Sequence, residues 1–248
     1  MSQCLFCSSQ ANSKEDLFPR WILARVETRE VLSRRIGDAK ADLTEEQEVR
    51  IPCVCNTCNN GWMSRLETKC KPIIGNLLED ISISLDSDYQ KALAEWALKG
   101  AIIIDAEGTK TRFFRKDECE NFKKTRAIPN GTGIWVGRFI GRSLSAINGG
   151  GTLKSEDGEF LVQYHVFTVL VGHLAMQVLS IHEEPDQIKS VQLAPVEGRW
   201  EELLIQIWPK VKKNVIWPPP LSFANYGTFP YASLVYRWTR KTGHSVSL

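Results

Sequence analysis

The sequence predicts an α+β protein in two parts. A cysteine-rich module occupies residues 1–71, and a larger α+β domain with a mainly antiparallel sheet occupies residues 72–248. Three observations carry this expectation. Two C-x-x-C pairs lie in the first quarter of the chain, apolar residues recur at helical spacing over residues 88–104, and β-branched and aromatic runs punctuated by glycine begin at Gly133. With 248 residues the chain exceeds the ~100–150 residues of a typical single domain, so two parts fit its length.

Taken in order, residues 25–50 hold few large apolar side chains, which predicts a solvated insertion, partly helical at best. A helix is expected from Asn59 through Trp62 and Leu66 to Lys69, with Pro72 as its stop. The run Ser87, Asp88, Tyr89, Gln90 has capping-box character, and Leu93, Trp96, Ala97, Gly100, Ala101 and Ile104 follow on one helical face. Strands are expected at 133–140, 142–147, 159–171 and 173–182, with a turn or flexible loop at the glycine-rich 148–151. Residues 160–181 nearly reach membrane length, but Gln163, His165, Thr168, His173 and Gln177 interrupt them. They read as two buried strands meeting near Gly172. The tail repeats Ile-Trp-Pro at 207–209 and 216–218, where Trp208 and Trp217 are expected to anchor a proline-stiffened connection onto the core.

The start, MSQCLFCSSQ, has no basic region followed by an apolar run, so no secretory leader is read there and a cytoplasmic protein is expected. In a reducing compartment seven cysteines point to metal rather than disulfides. Cys4, Cys7, Cys55 and Cys58 form two C-x-x-C turns, each able to offer two thiolates to one ion at about 2.3 Å, and two such turns complete a tetrahedron. Zn²⁺ is the expected ion, in a closed structural role. Cys53 is an alternative to Cys55 with less regular spacing; Cys70 and Cys119 read as buried free thiols.

The formal charge of +2 excludes a globally basic nucleic-acid binder, so any such contact needs a local patch. Arg20, Arg25, Arg29, Arg34 and Arg35 would form one stripe if their segment were helical. Residues 110–126, KTRFFRKDECENFKKTR, interleave basic residues with Phe113, Phe114 and Phe122. They read either as a strand-binding patch or, in the more economical view, as an amphipathic helix with its phenylalanines in the core.

The runs SKEDLFPRWI (13–22) and CNTCNNGWMSRLE (55–67), together with Cys4 and Cys7, resemble the zinc-bearing HNH endonucleases. Their pattern is C-x-x-C, then E-H-apolar-apolar-P-x-W, then C-x-x-C-N-x-G-W-M-x-x-x-E. The likeness spans about residues 4–67. It implies a ββα-metal fold with a catalytic divalent ion, Mg²⁺ or Mn²⁺, held by Glu15 and Asn59. It also places the general base at position 16, where the family has histidine and this chain has Asp16. Aspartate is weaker as a base by about 2.6 pKa units. The only histidines are His165, His173, His182 and His244. Three outcomes fit: Asp16 acts as a poor base or second metal ligand, His165 or His173 folds back into the site, or the module has lost hydrolysis and the histidines are core residues. Glu67, two turns beyond Asn59, is expected to form a helix-surface salt bridge or to stand behind the metal ligands, and Trp21 and Trp62 to pack against the zinc turns.

Two functions follow from the resemblance. One is a metal-dependent endonuclease cutting nucleic acid, DNA before RNA, in a setting of phage defence, counter-defence or mobile elements. The other is a degenerate HNH-like zinc protein that binds nucleic acid or a protein partner, or a second copy, through residues 72–248, without cleavage. No membrane contact is expected.

Overall fold

The computed structural model describes residues 2–26, 32–36, 49–107, 112–140, 144–154, 161–183, 191–192, 203–209, 211–223 and 237–238. The chain is a mixed α/β protein whose sheets are mostly antiparallel. Near the N-terminus, β1 (Ser13–Asp16) leads into the short α1 (Arg20–Leu23). Leu32–Ile36 forms β2, and Arg50–Val54 forms β3. β1 and β3 pair antiparallel, Glu15 opposite Ile51 and Asp16 opposite Arg50. Strand β2 was not expected. It pairs parallel with β6 (Leu144–Lys154) at the edge of the main sheet, so part of the insertion at 25–50 is extended rather than helical. Arg34 and Arg35 therefore lie on a strand, and no helical arginine stripe forms with Arg20 and Arg25; Arg29 lies outside the described residues.

Directly after β3, Cys55 caps α2 (Asn56–Cys58). A widened helical turn over Asn59–Met63 then joins it to α3 (Ser64–Leu78). The kink centres on Gly61, whose φ of −93° and ψ of −105° are not helical. Pro72 does not stop α3, contrary to expectation. It lies on the exposed side, while Ile73, Ile74, Leu77 and Leu78 are buried, and their packing holds the helix across the missing hydrogen bond. The helix ends instead at Leu78, and Asp80, with φ of 60°, turns the chain away: the Ile81 N–H donates to Asn76 O, and the Asp80 carboxylate binds Arg138.

A short strand, β4 (Ile83–Leu85), precedes α4 (Ser87–Asp105), the longest helix among the described elements. Its cap is Asp86, not Ser87: Asp86 Oδ1 accepts the Tyr89 N–H at 2.8 Å. The expected apolar face is buried, and so is most of the rest of the helix, including Glu95, Lys99 and Asp105. After α5 (Lys116–Thr125) come β5 (Thr132–Phe139), β6, β7 (Leu161–Val171) and β8 (Leu174–Glu183). Further on are β9 (Val191–Gln192), β10 (Ile205–Trp208), β11 (Val215–Trp217), β12 (Ser222–Phe223) and β13 (Arg237–Trp238).

The main sheet runs β10-β5-β8-β7-β6-β2, with β12 alongside β5. β7 and β8 are the two strands read around Gly172, in antiparallel register from Val162 opposite Glu183 to Val171 opposite Leu174. Gly172 has φ of 54°, and a Cβ there would stand 2.8 Å from Leu78 O, so glycine lets this hairpin seat on the end of α3. The glycines at 148–151 lie inside β6 rather than in a loop; Gly151 lies opposite Tyr164, and a Cβ there would meet that ring at 3.2 Å. Helix α4 lies across β6, β7, β8 and β10 and packs on α3. β4 pairs with β11, and Trp217 is fully buried at that ladder. One contiguous buried cluster extends from Cys4 through α3 and α4 to Trp217. Among the described residues no helix is long and apolar enough to cross a membrane.

Candidate functional site

Four thiols converge where the first loop meets α2. Cys4, Cys7, Cys55 and Cys58 place their sulfurs within 4.8 Å of one another, with Cys7–Cys55 at 3.6 Å and Cys7–Cys58 at 3.7 Å. A tetrahedron of sulfurs about 2.3 Å from a central zinc has edges of about 3.8 Å. The thiols thus stand at the spacing of a closed tetrathiolate site, and they could hold a metal ion such as zinc. Cys53 is not in the group; it is buried behind Glu15, and burial pushes its thiol up to about 12. Local backbone builds the site. The Cys58 N–H points at Cys55 Sγ at 3.4 Å, and Cys4 N–H bonds Ser9 O across the first turn. Burial acts to raise the Cys7 thiol, but the N–H and hydroxyl of Ser9 outweigh it and bring it to about 6. Burial and the adjacent Cys55 and Cys7 push Cys58 to about 12. Cys70 and Cys119 are buried free thiols away from the cluster.

The second place of interest is the junction of β1, β3 and the helix. Strand alternation turns Glu15 inward and Asp16 outward. Glu15 is buried, and Lys99 Nζ from α4 donates to its Oε1 at 2.6 Å, with side-chain exposures of 7% and 4%. Burial raises the Glu15 carboxyl above its ordinary value, more than Lys99 lowers it. Asp16 faces the other way and accepts from Arg50 Nε at 2.7 Å. Asn59 reaches back to the strand: its Nδ2 donates to Ser13 Oγ at 2.9 Å and to Lys14 O at 3.0 Å. Glu67 accepts the Trp21 indole N–H at 2.7 Å. The structure thus gathers Glu15, Asn59 and Glu67 around one strand-helix junction, and sets Asp16 on the opposite face of β1. Trp62 packs edge-on to Phe6 of the first cysteine turn and to Phe122, as expected of a packing residue.

The histidines group elsewhere. His165 on β7 and His182 on β8 share one face of the sheet, because His165 lies opposite Ser180, two residues before His182, and His182 lies opposite Gln163, two residues before His165. His165 is buried with no hydrogen-bond partner on either ring nitrogen; its Nε2 is 3.8 Å from Asp105 Oδ1. Burial holds it down to about 3. Phe113 stacks on His182 at 4.0 Å, and His182 Nε2 is 2.9 Å from Glu118. His173 Nδ1 meets Phe139 O at 3.0 Å. His165 and His173 thus have their close contacts away from Glu15 and Asn59, and His244 lies outside the described residues.

Of residues 110–126, Phe114 before α5 and Phe122 within it are buried and Phe113 is partly buried, while Asp117, Lys124 and Arg115 face outward and Lys116 and Glu118 turn to protein partners. The phenylalanines are core, as in the more economical reading. Basic residues are also exposed near Trp21: Arg25 lies 5.6 Å and Lys71 5.7 Å from its ring centroid, and Arg20 is exposed beside it in the sequence. Arg25 is also paired with Glu79 at 2.8 Å, and Arg65 and Lys69 are exposed on a different side of α3. No protein-family model, curated protein or solved structure matches the chain.

Sequence reasoning did not find Lys99. The available signal was a lysine between Leu98 and Gly100 in a helix otherwise apolar on nearly every side, which needs a buried counter-charge. It also did not find Lys116. That side chain donates to the carbonyls of Cys4, Leu5 and Cys7, far away in sequence.

Proposed function

We propose that this chain is a zinc-stabilised, HNH-like protein that binds nucleic acid without cutting it. In this reading Cys4, Cys7, Cys55 and Cys58 hold a structural Zn²⁺, and residues 1–71 keep the scaffold of the endonuclease while its hydrolytic site is closed. One observation carries the reading: the Lys99 ammonium is 2.6 Å from the carboxylate that the resemblance assigns to a divalent ion, and both are nearly inaccessible. A cation already fills that position, so Mg²⁺ would have to displace a buried ion pair. The residue at the base position supports the same reading, because Asp16 points away from Glu15 and is engaged by Arg50. The binding surface is the face around Trp21, with Arg20 and Lys71 as phosphate contacts and Arg25 joining them by exchanging Glu79 for a phosphate.

The second reading is the metal-dependent endonuclease itself, with Glu15 and Asn59 as ligands of Mg²⁺ or Mn²⁺. The antiparallel β1–β3 pair that feeds directly into the helix at Cys55 favours it, as does the reach of Asn59 across to β1.

Mobility-shift titrations on mixed-sequence duplex DNA at rising salt, beside plasmid nicking in Mg²⁺ and Mn²⁺, separate the two. Binding without nicking is expected. The logarithmic salt slope should be about −3 to −4, falling by about 1 in Lys71→Glu. Nicking that vanishes in Glu15→Ala would instead establish the endonuclease. Absence of both binding and nicking by the zinc-loaded protein refutes both readings.

A further inference from the structure

Helix α5 lies against the four-cysteine cluster with two lysines facing it. Lys116 Nζ sits in a cage of backbone carbonyls from the first cysteine turn: Cys4 O, Cys7 O at 2.6 Å and Leu5 O at 3.3 Å. Seven residues on, and so on the same side of the helix, the half-buried Lys123 faces the cluster, and against burial the nearby Cys58, Cys7 and Cys55 sulfurs raise its ammonium above the ordinary value. Between them Cys119 and Phe122 are buried, and Phe122 packs edge-on to Trp62, which packs in turn on Phe6 inside the first turn. The carbonyls of that turn point to Lys116, while backbone N–H groups of the same turn, Phe6 and Ser9 among them, point to the sulfurs. The Leu5–Phe6 peptide presents its carbonyl to Lys116 and its N–H to the Cys4 sulfur, so an ammonium there aligns that dipole toward the thiolate.

We propose that Lys116 and Lys123 are the outer cations of the metal centre, and that zinc and helix α5 hold each other in place. Zn²⁺ with four thiolates is a dianion, and two ammonium groups from one helix neutralise it. Outer partners of this kind commonly account for 10–100-fold in metal affinity. Lys116 also meets Glu120 at 3.7 Å, so part of its charge is shared within α5. Linkage makes the effect reciprocal: whatever factor α5 contributes to zinc affinity, zinc contributes to the seating of α5. The inference needs only the metal, and stands or falls separately from nucleic-acid binding.

The test uses the full chain. Zinc affinity is measured by competition with a chromogenic chelator for the native protein, Lys116→Met, Lys123→Met, and Lys124→Met as a control on the exposed side of the same helix. Each of the first two variants should bind zinc about 10–100-fold more weakly, and the control within about twofold. Hydrogen exchange on the native protein, zinc-loaded and zinc-stripped, supplies the second measurement and does not depend on any variant folding. Amides of residues 116–125 should lose protection on stripping along with those of residues 4–9. Affinities within about twofold of native in both methionine variants would overturn the proposal. So would α5 amides that stay protected after stripping while residues 4–9 open.

Discussion

Replacing Lys99 by methionine keeps the stem of the side chain and removes its charge, leaving Glu15 buried at the β1–helix junction without a counter-ion. At the 2.6 Å separation, and an effective dielectric of about 20, the attraction forfeited is about 6 kcal/mol. The measured loss should be smaller, about 3–5 kcal/mol, because the stranded carboxylate can take up a proton. That escape gives the variant a signature in pH. The folded-state pKa of Glu15, already raised by burial, rises further without Lys99, while the unfolded value stays near 4.5. A carboxyl whose folded pKa lies above its unfolded one stabilises the fold below the unfolded pKa, and that contribution is lost as pH rises through the folded pKa.

Denaturant unfolding of Lys99→Met and of the native chain at pH 5, 6, 7 and 8 should therefore show a gap widest at pH 8. Below the folded pKa it should narrow by about 1.4 kcal/mol per pH unit. The double variant Glu15→Leu, Lys99→Met should regain most of the loss, since an apolar pair of similar volume replaces a buried ion pair at little net cost. A Lys99→Met gap under about 1 kcal/mol, flat from pH 5 to 8, would refute the reasoning, because it would mean that the pair is solvated and that Glu15 is open to an ion. Added Mn²⁺ gives a further reading on the same sample. It should raise the midpoint of Lys99→Met and leave the native chain unmoved, as binding at a vacated carboxylate requires.

Two other outcomes follow from the packing. His165 is held neutral by burial, near 3 against about 6.5 when unfolded, so unfolding takes up a proton and stability should fall as pH drops below 6.5, by up to about 1.4 kcal/mol per unit. The raised carboxyls of Asp105, Glu15 and Glu95 act in the opposite sense, so the quantity to measure between pH 6.5 and 5 is the difference in slope between the native chain and His165→Phe. His165→Phe should flatten the slope there, and equal slopes in the two proteins would contradict this account. Gly172→Ala should cost at least about 1–2 kcal/mol, from the left-handed backbone together with the 2.8 Å approach to Leu78 O. Thermal unfolding checks it, and a loss under about 0.5 kcal/mol would mean that the hairpin is not seated on α3.

What could be read from the sequence was local. The two C-x-x-C turns are set by spacing within four residues, and helix α4 by a period that a single segment displays. The β7–β8 pair was legible because Gly172 divides one apolar run into two strands of matching length. Pairings between distant segments were not legible. Nothing near Glu15 announces Lys99, 84 residues on, and nothing in residues 32–36 announces a parallel partner in β6. Pro72 and the glycines at 148–151 misled for a related reason. Their local preferences are real, but burial of Ile73, Ile74, Leu77 and Leu78 in one case, and in the other pairing of the whole tract with β7 and of Asn148 and Gly149 with β2, outweigh them.

Under the proposed reading the motif residues need a use other than cleavage. Each has a structural use in this chain. Glu15 neutralises the lysine that α4 buries, Asp16 ties β1 to β3 through Arg50, Asn59 fastens the start of the helix to the backbone of β1, and Glu67 holds the indole of Trp21. Trp21 in turn orders Arg25 and Lys71 on the basic face. Removing Glu15 alone would strand Lys99, and removing Asn59 would free the strand from the helix that carries Cys55 and Cys58. The same residues that a nuclease would use to hold an ion thus join the hairpin, the cysteine cluster and α4. Their presence alone is therefore no argument for hydrolysis, and the state of the Glu15–Lys99 pair is the property that decides between the two readings.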